Sequence, residues 1–168
     1  MREFLALILC VSGVCAAGTA STADSAASEA HFRQGMELLR EKNYPKARRH
    51  FQRAVELNPQ FSQAYFYLGM SALHMHDRSS AEAALRRAIK LEPAAVNALY
   101  NLGVLLLDDK KPADAAKYFE KAKQAGPLSP ELAINLIRSH LEAAQPFAPW
   151  RLRKRPDRNL RARWNSTK

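Results

Sequence analysis

Apolar positions in this chain follow a helical rhythm, and the rhythm repeats. From Val96 to Asp109, Leu99, Leu102, Gly103, Leu106 and Leu107 recur at spacings of three and four, the period of one helix face. From Pro112 to Ala125, Ala115, Phe119 and Ala122 keep the same period. Pro112 suits a first helical turn, where a missing N–H costs nothing. Pro127, after Gly126, suits a stop. The pattern predicts a helix, a short turn and a second helix packed on the first. The same layout returns every 34 residues. Glycine stands at Gly35, Gly69 and Gly103, alanine at Ala47, Ala81 and Ala115 and again at Ala54, Ala88 and Ala122, and proline at Pro59, Pro93 and Pro127. Four markers holding one register through three copies define a repeat architecture.

The copies are residues 28–61, 62–95 and 96–129. Tyr65, Leu68, Gly69 and Ala72 pair with Ala81, Leu85 and Ala88 in the second copy; His31, Gln34, Gly35 and Leu38 pair with Ala47, Phe51 and Ala54 in the first. His31 and Gln34 are polar where the later copies are apolar, as suits an outermost unit facing water. A glycine inside a helix costs about 1 kcal/mol against alanine, so three at one register imply a shared packing need. Gly103 and Ala115 are expected to let two backbones approach, with Phe119 and Leu102 filling either side. A capping helix is expected over 130–145. Its stripe of Ala133, Leu136, Ile137, His140, Leu141 and Ala144 would cover the last repeat, and Pro146 would end it. The expected fold class is all-α, an α-solenoid of helix–turn–helix units.

The two ends differ from this body. Met1-Arg2-Glu3, an apolar run from Phe4 to Val14 and small residues through Ala23 describe a secretory signal peptide over 1–23. The run is shorter than the roughly 20 residues of a membrane span. Cleavage is expected after Ala17, Ala20 or Ala23, the last two favoured. Alternatives are an uncleaved anchor, or lipidation at Cys15, whose preceding Val14 is not the small residue such a site wants. Cys10 and Cys15 are the only cysteines, so cleavage leaves no disulfide, thiol nucleophile or thiolate metal site. Export without disulfides points to a bacterial periplasm or exterior. Residues 24–27 show no apolar period and are expected to be a flexible lead-in.

Charge is concentrated at the other end. Residues 146–168 hold eight basic side chains (Arg151, Arg153, Lys154, Arg155, Arg158, Arg161, Arg163 and Lys168) against Asp157, so the tail carries +7 of the chain's +10. With Pro146, Pro149 and Pro156 and no helical period, it is expected to be disordered when free. Its functional reading is attachment to an anionic surface such as membrane, lipopolysaccharide or a wall polymer. The bland reading is a solvated terminus, and export counts against nucleic acid as the partner.

The 34-residue period, the four markers and Tyr100-Asn101-Leu102-Gly103 resemble the tetratricopeptide repeat (TPR) from Ser28 to Gln145. The resemblance implies a right-handed solenoid and a noncatalytic binding scaffold. It also implies a concave face lined by the first helix of each pair. That lining would be Phe32, Arg33, Met36 and Leu39 in copy one. In copy two it would be Gln63, Phe66, Tyr67, Met70 and His74, and in copy three Asn97, Tyr100, Asn101, Val104 and Asp108. The cap would add Ile134, Asn135 and Arg138. The candidate groove is Phe66, Tyr67, Met70, Asn97, Tyr100, Asn101, Asn135 and Arg138. An asparagine offers a carbonyl and an NH2 together, so it can pair with both groups of one peptide unit. The competing reading is that the aromatics simply cover neighbouring helices. Relatives that grip the acidic C-terminus of chaperones use lysine, asparagine and further basic residues in this face. Here Phe32, Met36, Asn97 and Asn101 occupy it, and that clamp is absent from the sequence.

No catalytic constellation, cofactor motif or metal site emerges. The recurring glycines sit inside helices, not in a phosphate-cradling loop. His74-x-His76-Asp77 falls where a helix ends, with no second ligand cluster. Asn165-Ser166-Thr167 is a glycosylation sequon, meaningful only in a eukaryotic secretory route. The expected function is capture of a protein or peptide partner in the groove, in envelope or secretion-related assembly. The alternative is surface attachment through the tail, with the repeats as spacer.

Overall fold

The computed structural model describes residues 22–144. The basic tail and all but the last two residues of the expected signal peptide lie outside them. Among the described residues there are seven helices and no strand: α1 (Thr22–Arg40), α2 (Tyr44–Leu57), α3 (Ser62–His74), α4 (Arg78–Leu91), α5 (Val96–Asp108), α6 (Pro112–Ala125) and α7 (Pro130–Ala144). The chain divides into two compact units, residues 1–81 and 82–168, with the division in the first turn of α4.

In the first unit α2 packs against both α1 and α3. Pro45 opens α2, and Ala47, Phe51, Ala54 and Val55 form its buried face. Phe32, Phe61, Tyr65 and Leu68 close around Ala54, Val55 and Ala64. His31 is not simply a water-facing end residue, because its Nδ1 lies 3.3 Å from Nδ1 of His50 in a part-buried contact between α1 and α2. In the second unit α6 packs against α5 and α7. Leu99, Leu102, Leu105, Leu106 and Leu107 of α5 and Ala115, Phe119 and Ala122 of α6 are all essentially inaccessible. Arg86 of α4 donates to the Tyr118 hydroxyl of α6 at 2.8 Å.

The repeating glycine has a more specific task than backbone approach. A Cβ built on Gly103 would lie 2.6 Å from Cε1 of Phe119, and one on Gly35 would lie 2.7 Å from Cε1 of Phe51. Both rings are wholly buried. Each glycine therefore leaves the hollow that seats an aromatic ring from the second helix of its pair.

The turns inside each pair carry a periodic feature of their own. Lys42, His76 and Lys110, 34 residues apart, have φ of 59°, 59° and 61°. Each ends its helix with two crossed bonds, as where His76 N–H donates to Leu73 O and Asp77 N–H to Ala72 O. These left-handed closures satisfy carbonyls that would otherwise be orphaned, a task usually given to glycine.

Two expectations need correction. Residues 24–27 are not a lead-in: α1 already begins at Thr22. Alanine-rich sequence has high helix propensity without any apolar period, Asp24 sits in the first turn where the helix dipole favours an acid, and buried Ser28 donates to Ala54 O at 2.8 Å. The cap's inward face is also shifted, keeping Leu136 of the expected stripe but not Ile137 or Leu141. Leu132, Leu136 and Ser139 are its buried residues, whereas Ile137 and Leu141, expected inside, are 60% and 59% exposed. A serine can line that face because its hydroxyl donates to Leu136 O at 2.7 Å, so no polar group is left without a partner.

Candidate functional site

The expected groove residues fall in both units, and the structure shows what each does within its own. In the first unit Phe66, Tyr67 and Met70 lie on α3, all half-buried. Tyr67 is a packing residue as much as a surface one. Its ring stacks on Phe51 at 5.7 Å and meets Phe32 edge-on at 5.6 Å, and Phe66 meets Tyr67 edge-on at 5.0 Å. Phe32 also leans on Phe61 at 4.9 Å. The aromatic patch is continuous from α1 to α3, and Phe66 is its outermost ring in that chain of contacts.

The second unit holds the polar part. Asn135 of α7 donates to the Tyr100 hydroxyl of α5 at 3.0 Å, which ties the cap to the third repeat across 35 residues of sequence. Tyr100 is also seated against Phe119, 5.9 Å between ring centres. Asn101 turns one N–H back to the Asn97 carbonyl at 2.7 Å, while the Asn97 side chain is exposed. Arg138 is held along its own helix, its Nε 2.9 Å from Glu142. Tyr100, Asn101 and Asn135 are thus oriented by contacts already present. An amide held in place loses less freedom when it pairs with a ligand, which is how preorganisation adds affinity.

His74, His76 and Asp77 have other partners. His74 stacks on Tyr44 at 4.2 Å with the rings 11° from parallel. His76 is the left-handed turn residue. Asp77 caps α4: Oδ1 accepts from the Ser80 N–H and the Ser79 hydroxyl, and Oδ2 accepts from Arg48 at 2.9 Å. These bonds, those from Ser80 first, pull its pKa down to about 2. Among the described residues no three His, Cys, Asp or Glu side chains converge as metal ligands. A feature that periodicity gave no hint of is an open cleft of about 470 Å³ between α6 and α7, whose lining includes Ala113, Ala116, Lys117, Glu120, Lys121 and His140.

Sequence profiles described as tetratricopeptide repeat match residues 28–61 and residues 68–130. The chain is a tetratricopeptide-repeat protein. Solved TPR domains share its fold at low identity. The first TPR domain of Spaghetti (RPAP3), bound to the HSP90 peptide SRMEEVD, superposes with a TM-score of 0.68 at 16% identity, covering 71% of this chain and 95% of that one. The Arabidopsis OM64 TPR domain gives 0.67 at 20% identity, covering 70% and 98%. The TPR2B domain of yeast Sti1, in its pHsp70 complex, gives 0.63 at 18%, covering 73% and 100%. Comparison with curated protein sequences finds no match. The all-α, α-solenoid class expected from the period is therefore the class of the family.

Proposed function

We propose that this TPR protein is a noncatalytic interaction module that holds an extended peptide on the face carried by α5 and α7. The observation that carries the reading is the oriented polar set of Tyr100, Asn101 and Asn135. Asparagine amides set along one face can pair with successive peptide units while leaving side chains largely unread. Within the first unit, Phe66 offers a separate aromatic surface for an apolar side chain. Two of the structural neighbours are complexes with an HSP90 peptide and with pHsp70, which supports the mode of binding. Their partner does not transfer, because this chain has Phe32, Met36, Asn97 and Asn101 where the family's carboxylate-gripping members use lysine and other cations.

The setting we propose is the cell envelope or a secretion-related assembly, on the strength of the leader-like residues 1–23. The test is affinity capture from a cell-envelope extract with the intact chain and with a Tyr100→Ala, Asn101→Ala variant as control. A specific protein retained by the first and lost by the second supports the reading. Equal capture by both sinks it. Capture that survives in the variant but disappears in high salt favours the basic tail instead.

A further inference from the structure

The outer face of α7 is unlike that of a helix meant to end a repeat array. Terminal units need a polar outer surface. Here Ile134, Ile137 and Leu141 stand 64%, 60% and 59% exposed. At 3.6 residues per turn they share one side of the helix, opposite Leu132, Leu136 and Ser139, which are buried. The helix is thus apolar on two opposite faces, and only one of them is covered among the described residues. Leu128, just before α7, is also 54% exposed. Contiguous apolar surface of this kind marks a docking site.

We propose that its occupant is the chain's own C-terminal segment, with Phe147, Trp150 and Leu152 laid back along Ile134, Ile137 and Leu141. The segment starts at the right place, one residue beyond the end of α7 at Ala144. It has the right chemistry. Phe147, Trp150 and Leu152 lie within the first eight residues after α7, before the main run of arginines and lysines. It has the right backbone, since Pro146 and Pro149 prevent α7 from continuing and favour an extended return strand. Phe147 and Trp150 are three apart, the spacing that puts side chains on one edge of a polyproline-type helix. It has the reach. The face from Ile134 to Leu141 is about 10 Å long at 1.5 Å per residue, and eight extended residues span about 26 Å. A tethered segment competes at an effective concentration of about millimolar, far above that of a second copy in dilute solution. Docked in this way, the strap caps the array and leaves the basic residues from Arg153 onward facing solvent.

Both tryptophans of the chain, Trp150 and Trp164, lie in the tail, so intrinsic fluorescence reads the strap directly. In the intact chain carrying Trp164→Phe, Trp150 is the sole reporter. Its emission should be blue-shifted, and its acrylamide quenching severalfold weaker, than in the free peptide 145–168 with the same substitution. Adding Ile137→Ser and Leu141→Ser, both at exposed positions where folding should survive, should return emission and quenching to the peptide's values while the circular dichroism stays unchanged. Emission identical to that of the peptide overturns the proposal, as does a blue shift that the serine pair leaves intact. A shift that disappears on dilution also overturns it, and assigns the face to a second copy. Loss of peptide capture in the groove leaves this result untouched, so the two readings fail separately.

Discussion

Replacing Gly103 with alanine sets two physical effects against each other. Helix propensity alone favours Gly103→Ala by about 1 kcal/mol, because glycine in a helix interior loses more backbone entropy on folding. Packing opposes it. The new methyl would sit 2.6, 2.8 and 2.9 Å from Cε1, Cδ1 and Cζ of Phe119. That ring is wholly buried and lies against Tyr100, so it has little room to yield. Overpacking a filled core costs about 1–3 kcal/mol, and three contacts this close on a confined ring put the cost near the upper end. The net expectation is a loss of about 1–2 kcal/mol, or a melting temperature lower by several degrees. Denaturant and thermal unfolding followed by circular dichroism measure it. Phe119→Leu in the same chain should relieve the clash, so the double variant should be more stable than the sum of its parts by about 1 kcal/mol or more. If Gly103→Ala instead gains the propensity increment, the hollow-and-ring account of the repeated glycine is wrong.

Three further outcomes follow from the same structure. Lys110→Gly should stabilise the chain by about 0.5–1 kcal/mol, since it removes left-handed strain from an L residue at φ 61°; an unchanged or lower unfolding midpoint would contradict that. Ser28→Ala should cost about 1 kcal/mol by removing the hydroxyl that donates to Ala54 O, whereas no change would mean that the start of α1 is not held. Asp77 has its pKa lowered from 3.8 to about 2 in the folded chain, so its stabilising contribution is complete above 3.8 and is lost as pH falls through about 2. The stability gap between the chain and its Asp77→Asn variant should therefore close over that window, and a gap independent of pH would dismiss the Ser80 and Arg48 bonds as its source.

The repeat was legible because its signals are periodic and local. Proline at first turns, small residues at one register and leucines at three-and-four spacing depend only on how a helix presents its faces. The errors came where that logic is silent. Residues 22–28 are helical through alanine propensity and a buried serine hydroxyl, neither of which leaves an apolar period. In α7 two apolar stripes compete. Pattern alone favours the stripe of Leu136, Ile137 and Leu141, whereas the buried set is Leu132, Leu136 and a self-bonded Ser139. The rings seated behind Gly35 and Gly103 lie sixteen residues on, whereas at Gly69 that position is Leu85, so the period alone does not mark the pairing. The candidate site was legible as a set of positions. That Asn135 is tied to Tyr100, and Tyr67 to Phe51, is set by distances between helices.

The measurement that bears most directly on the proposed peptide-binding face is site-specific photo-cross-linking in living cells. A photoreactive residue replaces exposed Asn97 on the proposed binding face in one chain, and Lys121 on α6, beside the α6–α7 cleft, in another. Adducts to one discrete partner from position 97, abolished by Asn101→Ala and absent from position 121, are the predicted result. Adducts from position 121 alone would move the binding surface to the α6–α7 cleft and contradict the account.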